Sequence, residues 1–390
     1  MNILIYVRSL DNGGAERVAS LWAKGFNEQG HNVSIVLDTL FTPIKYNVPQ
    51  QITVIRQFQP SAKILARLID FVKLNKTTSR FFERIWNNLP RFFRSKRLAN
   101  VIQARNPDTI VIVMPEFYQR VKRALNKIKR HTPIIVTDHN PFERPDYAPL
   151  SPQGEKEKFI DSRDYDFLTV LTEADKLVLE KKMDANFMKK VSVLPNPLTY
   201  EPLKSIPPKE KIILAAGRLD DSLYKGFDLL LMAWAKIHKS YPDWKLKIAG
   251  GGNKQPLLKA CQKLGITDRV DFLGFIDIQK QFEKAEIFVL SSRYEGFGMV
   301  LTEAMSQGCA CIACDYKGRQ REIIENDAQG LICPPDDDNA IADAICKVIT
   351  DEQYRHDLQK NAIERAKYYE LPNIMQRWNE IFEKLGLVKK

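Results

Sequence analysis

The residues best suited to chemistry lie in one run, Tyr294-Glu295-Gly296-Phe297-Gly298-Met299-Val300-Leu301-Thr302-Glu303. A strand pattern, Ile287–Leu290, precedes it, and a helix opens within it. Gly296 and Gly298 permit a tight turn that brings backbone N–H groups close to a ligand. The helix start beyond them favours an anion such as a phosphate. Glu295 sits in the loop and Glu303 within the helix. The two carboxylates can therefore reach different parts of one extended ligand, each accepting hydrogen bonds from hydroxyls. A second cluster follows another strand pattern, Lys211–Ala216: Gly217-Arg218, then Lys225-Gly226 at the head of the next helix. An arginine fork and a lysine point charge near a helix start make a metal-free clamp for a diphosphate. Such a clamp stabilises charge developing on a departing nucleotide.

The elements that must hold these residues alternate between apolar β-like runs and helical patterns, as in parallel sheets with crossover helices. In the first half, strands are expected at Asn2–Val7, Asn32–Leu37, Thr109–Val113, Ile134–Thr137, Phe167–Leu171 and Val191–Leu194. Helices are expected near Ala15–Gln29, Ser61–Ala104, Tyr118–Arg130 and Glu173–Lys182. The proline-rich stretch from Pro195-Asn196-Pro197 to Pro207-Pro208 breaks the pattern. It then restarts with strands at Lys211–Ala216, Lys245–Ala249, Arg269–Leu273, Ile287–Leu290 and Ala310–Ala313, and helices at Phe227–Lys239 and Lys254–Leu264. From Asp336 onward the chain reads as helical, ending in Leu371–Leu385. The expected division is a first domain over 1–197, a second over 198–370 and a terminal helix over 371–390. Two similar α/β domains leave a ligand cleft between them.

At 390 residues the chain suits two domains. No run of eighteen or more uncharged apolar residues occurs, so no span of a bilayer is expected. Met1–Val7 reads as a first buried strand, not as a signal peptide. Cys261, Cys309, Cys311, Cys314, Cys333 and Cys346 show no disulfide framework, and a reduced cytoplasmic setting follows. The Cys309–Cys314 run reads as strand packing, and Asp336-Asp337-Asp338 as a helix cap. No metal and no other cofactor is expected.

On these motifs the chain resembles the retaining glycosyltransferases of family 4, the group 1 type, with the GT-B fold of two Rossmann-like domains. Glu295 and Glu303 match that family's two glutamates, and Arg218 and Lys225 its basic pair. Gly13-Gly14-Ala15-Glu16-Arg17 resembles its first glycine loop. His139, in Thr137-Asp138-His139-Asn140, falls where the family keeps a histidine. Asp315–Gly318, Arg321–Ile324 and Gly330-Leu331 resemble family stretches, and Trp378 lies in a helix like the one that crosses back to the first domain. Cys311 departs from the family, which has proline there. The resemblance implies that Glu303 holds the ribose hydroxyls, Glu295 and His139 face the hexose, and Arg218 and Lys225 take the diphosphate. It further implies that backbone groups of Gly296, Phe297, Gly298, Met299 and Val300 contact sugar and phosphate. Gly14 would admit the donor, and Gly274-Phe275 would contact the base. A UDP-sugar is the expected donor. Retention by a covalent intermediate or by front-face attack stays open, with the front-face route favoured.

The net charge of +11 is concentrated between Ser61 and Arg105, where Lys and Arg residues face only Asp70 and Glu83. Within the expected insertion, 61–104, apolar residues such as Leu65, Leu68, Val72, Phe82, Ile85 and Leu89 recur at helical spacing, and Pro90 opens a new helix. A basic face beside Trp and Phe suits a helix lying on an anionic membrane, and equally a helix pair packed on the first domain. The membrane reading makes the acceptor a lipid-linked glycan and places the enzyme on the inner face of the plasma membrane. No nucleic-acid partner is expected. Three other readings compete. A nicotinamide oxidoreductase lacks its G-x-G-x-x-G loop here. A non-catalytic basic membrane-binding protein leaves the paired acids unexplained, and a sugar-nucleotide epimerase matches those glutamates poorly.

Overall fold

In the computed structural model the described residues are 1–11, 13–39, 42–56, 91–141 and 164–388, less the side chains of 91–94. The expectations for residues 61–90, including the start of the basic insertion and the helix opening at Pro90, lie outside them.

The first half builds one parallel sheet from β1 (Asn2–Val7), β2 (Asn32–Leu37), β3 (Thr53–Arg56), β4 (Thr109–Val113), β5 (Ile134–Thr137), β6 (Phe167–Val170) and β7 (Val191–Val193). Their order is β3-β2-β1-β4-β5-β6-β7. The second half builds another from β8 (Glu210–Ala216), β9 (Lys245–Ala249), β10 (Val270–Gly274), β11 (Ala285–Leu290), β12 (Ala310–Cys314) and β13 (Leu331–Cys333), in the order β10-β9-β8-β11-β12-β13. Strand order reverses between β1 and β4 in one sheet and between β8 and β11 in the other. At such a point the loops leaving the carboxyl ends diverge and open a crevice. The expected two-domain α/β architecture is present, with β3 and β13 as additional edge strands.

The helices are α1 (Gly14–Glu28), α2 (Arg91–Arg105), α3 (Tyr118–Lys127), α4 (Glu173–Glu180), α5 (Ala185–Met188), α6 (Phe227–Ile237), α7 (Gln255–Leu264), α8 (Gln279–Lys284), α9 (Met299–Ser306), α10 (Asp338–Thr350), α11 (Glu352–Ala366) and α12 (Leu371–Lys384). They cover both faces of each sheet, which explains why a central strand such as β4, Thr-Ile-Val-Ile-Val, is buried along its whole length. On α1, Val18, Trp22 and Phe26 recur every four residues and form its buried stripe. The terminal helix α12 returns to that stripe, with Trp378 meeting Trp22 at 5.1 Å and Phe26 at 5.2 Å between ring centroids. Edge-to-face pairs of this kind add to the area they bury. Asp337 caps α10 by accepting from the Ala340 N–H at 2.9 Å, and Cys309, Cys311 and Cys314 are buried around β12.

A second junction joins the halves at α4. Arg319, from the second half, donates to Asp175 Oδ1 at 2.5 Å, and the two side chains are 1% and 2% exposed. Thr172 donates to the other Asp175 oxygen at 2.6 Å. Glu322 accepts from the N–H groups of Glu173 and Ala174, both at 2.8 Å, so an acid of one half caps a helix of the other.

Candidate active site

The loops that follow β8 and β11 are stitched together at the crevice between those strands. Ser291 Oγ donates to the Lys225 carbonyl at 2.9 Å, and the Arg293 N–H to the Tyr224 carbonyl at 2.8 Å. The Arg293 guanidinium reaches the Leu223 carbonyl at 3.0 Å, binds both Asp228 oxygens at 2.6 and 2.8 Å, and pairs with Asp336. A bidentate arginine fixes a plane as well as a distance, so it holds the β11 loop in register with the start of α6. The loops press closest at Gly226, whose φ is 61° and where a methyl group would lie 1.8 Å from the Ser291 carbonyl oxygen. Gly226→Ala is therefore expected to cost about 1–3 kcal/mol in backbone strain alone. A lowered midpoint of urea unfolding at unchanged slope checks this.

That stitching brings Lys225 to Glu295. The Lys225 ammonium hydrogen-bonds Glu295 Oε1, which also accepts from Ser292 Oγ at 3.0 Å. Their side chains are only 22% and 11% exposed, a setting in which opposite charges attract more strongly than in water. The Lys225 stem lies over Gly217, where a methyl group would stand 3.2 Å from it. Arg218 behaves differently. Its side chain is 82% exposed and pairs with Asp221 at 2.7 Å. Burial raises the pKa of the Glu16 carboxyl in the first domain, and its own backbone hydrogen bond, Arg8 and Arg218 oppose the rise.

Glu303 lies on the buried side of α9, 4% exposed. Its Oε1 accepts from Arg17 at 2.7 Å and from Thr199 Oγ1 at 2.6 Å. Burial raises its pKa, and Arg17 and Thr199 oppose the rise. Between the two glutamates the chain touches the first domain directly. A methyl group on Gly296 would lie 2.7 Å from the His139 carbonyl oxygen, and one on Gly14 would lie 3.3 Å from Met299 Sδ. Only a residue without Cβ lets the β11 loop approach His139 so closely. Gly298 is the N-cap of α9, and Met299 and Val300 form its first turn, which carries no acid and no side-chain cap among the described residues. Its N–H groups remain to receive a ligand. The Phe297 side chain is buried against Tyr369, ring centroids 5.5 Å apart. Gly274 closes β10, and Phe275 beyond it is 78% exposed at the rim.

His139 follows β5. Its ring packs on Trp22 at 5.5 Å, and Nε2 lies 3.1 Å from Thr137 Oγ1. The adjoining turn is capped by Asp138, which accepts from the Asn140 N–H at 3.0 Å, so His139 is free of that duty. Burial pushes the imidazole down to about 4, with Asn196 opposing. An unfolded histidine titrates near 6.5 and takes up its proton first as the pH falls. The stability that His139 contributes is therefore complete above pH 6.5 and is lost between there and about pH 4, by about 3 kcal/mol at most. Unfolding midpoints across that range should fall for the wild type and fall less for His139→Gln.

The structure thus brings Lys225 to Glu295, Gly296 to His139, and Gly14 to Met299, while Arg218 and Phe275 stand at the edge. No local motif points to Thr199, Ser292 or Arg293, and Arg17 stands out in the sequence only as part of the first glycine loop. The one local signal for Ser292 and Arg293 is their place between the end of β11 and Glu295.

A family model described as glycosyltransferase family 4 matches residues 12–201, and one described as glycosyl transferases group 1 matches residues 200–365. A Campylobacter jejuni relative is 27% identical over 97% of this chain and 97% of its own length. Its name describes an α-1,4-N-acetylgalactosaminyltransferase acting on a glycan linked to undecaprenol through a diphosphate. A Salmonella typhimurium lipopolysaccharide 1,6-galactosyltransferase is 25% identical over 85% of this chain and 93% of its own. Among solved structures, TarM superposes with a TM-score of 0.78 at 15% identity, covering 97% of this chain and 98% of that one. HepE of Anabaena, solved with UDP and glucose, gives 0.72 at 18% identity, covering 98% and 99%. These likenesses show the two-domain GT-B fold.

Proposed function

Because the chain belongs to the group 1, family 4 glycosyltransferases, we propose that it is a retaining hexosyltransferase that takes its sugar from a nucleoside-diphosphate donor, a UDP-sugar in the first instance. The acceptor is a glycan carried on a lipid diphosphate. The observation that carries this reading is the sheltered Lys225–Glu295 pair at the β8/β11 reversal, beside the uncapped start of α9. A pyrophosphate seated there meets Lys225, the α9 N–H groups and, by rotation away from Asp221, Arg218. Positive charge is then placed where the leaving group gathers its negative charge. These cations take the part a metal ion would otherwise play, so the step calls for none.

In that step the bond between the anomeric carbon and the β-phosphate oxygen breaks, with its electron pair passing to the phosphate. The acceptor hydroxyl oxygen bonds to the same face of the sugar, and its proton goes to the departing phosphate oxygen. Glu295, with one oxygen committed to Lys225 and Ser292, serves to hold a sugar hydroxyl and not as a nucleophile. A covalent adduct trapped on Glu295 would overturn this route. The lipid-linked acceptor is supported by the names of the Campylobacter relatives, both of which specify diphospho-undecaprenol glycans. It fits a working place on the cytoplasmic face of a membrane. Among the described residues no helix is long and apolar enough to cross one. A screen of UDP-, GDP- and ADP-hexoses for nucleotide release without acceptor tests the proposal. One sugar nucleotide should be turned over, and inertness towards all of them would count against it.

A further inference from the structure

Glu303 is held from the opposite domain. Arg17 lies in the first turns of α1, in the first half of the chain, yet its guanidinium donates to Glu303 Oε1 at 2.7 Å. Thr199, in the segment that joins the halves, donates to the same oxygen at 2.6 Å and itself lies 3.5 Å from the guanidinium. Among the described residues, Oε2 receives no hydrogen bond. Arg17 is braced in turn by Tyr46, whose ring lies 5.5 Å from the guanidinium carbon. The Tyr46 hydroxyl accepts from the Gly13 N–H at 2.9 Å and donates to the Gly13 carbonyl at 2.8 Å. The first glycine loop, Tyr46, Arg17 and Glu303 therefore form one connected set across the cleft. Tyr200 stands beside it, its phenol pushed up to about 12 by burial and by Glu303, with Arg17 opposing.

We propose that Arg17 is a positioning residue for nucleotide recognition: with Thr199 it occupies one oxygen of Glu303 and turns the other towards the ribose hydroxyls of the donor. The inference rests on the reading of Glu303 as the ribose ligand. A carboxylate this deeply buried needs a cationic partner to stay ionised, and a carboxylate held by one oxygen has a defined direction for the other. Arg17 comes from the first domain, so the ribose site is complete only when the two halves are closed on each other. Arginine suits the post because its planar fork can hold the acid while resting on an aromatic ring, which a lysine does less well.

The test compares uridine, guanosine and adenosine diphosphates, each beside its 2′,3′-dideoxy analogue, by calorimetric titration of the full chain. The wild type should bind the ribose form of its own nucleotide roughly tenfold or more tighter than the dideoxy form, the scale of a lost hydrogen bond to a charged group. Arg17→Ala should bind both forms equally weakly, and Arg17→Lys should recover part of the discrimination. Should Arg17→Ala fail to fold, Arg17→Met, which keeps the apolar stem, carries the same comparison. A variant without the guanidinium that still discriminates as the wild type does would overturn the inference and leave the ribose reading intact. A wild type that does not discriminate at all would overturn the ribose reading itself, and the role of Arg17 with it.

Discussion

Lys225→Ala is expected to lower kcat for sugar transfer by about 10²–10³-fold, the range seen when one preorganised group facing developing charge is removed. The ammonium is held by Glu295, by the Ser291–Lys225 and Arg293–Tyr224 contacts between the two loops, and by the Gly226 turn. It therefore costs no reorganisation at the moment the phosphate departs. Its loss removes that charge and leaves Glu295, 11% exposed, without its cation. Nucleotide affinity should fall less than the rate, because the uncapped α9 start still receives the phosphate in the ground state. Lys225→Arg should lie between, since a fork cannot replace a point charge in a pocket shaped for one. Steady-state kinetics with the donor that the screen identifies, alongside nucleotide titration, separate the two effects. A loss of affinity with kcat unchanged would mean that Lys225 only binds.

Asp175→Ala is expected to cost about 3–5 kcal/mol of stability, because it strands a guanidinium in the interior. Arg319 is 1% exposed and has its charge partner on the other half of the chain. Removing that carboxylate also leaves the Thr172 hydroxyl without the acceptor it donates to, although Thr172 still caps α4 through the backbone N–H of residue 175. The paired replacement Asp175→Leu with Arg319→Met should recover most of the loss, since no charge is then left buried. Chemical denaturation of the single and double variants decides it. A single variant as stable as the wild type would show that the guanidinium finds water.

The fold was open to reading wherever burial makes a continuous apolar run. Strands such as Ile3–Val7 and Thr109–Val113 are buried along their length and stand out in the sequence. The edge strands Thr53–Arg56 and Leu331–Cys333 escaped notice. They are four and three residues long, and the first is only half-buried, so neither gives a period to count. The same limit applies to the site. Glu295, Lys225 and the glycines are carried by short motifs at strand ends, where local spacing implies a common crevice. Arg17 with Glu303 and Asp175 with Arg319 join residues far apart in the chain. Such pairs arise from how one domain docks on the other, and no local period records docking. The insertion between Ser61 and Pro90 stands on its composition alone.

The claim on which the rest depends is that one pyrophosphate-linked sugar lies between the loops of β8 and β11 under the first domain. The most direct measurement is a structure of the protein with its nucleoside diphosphate bound. The account predicts phosphate oxygens within hydrogen-bond distance of Lys225 and the α9 N–H groups, and ribose hydroxyls on Glu303. A nucleotide bound elsewhere, with the Lys225–Glu295 pair untouched, would contradict it.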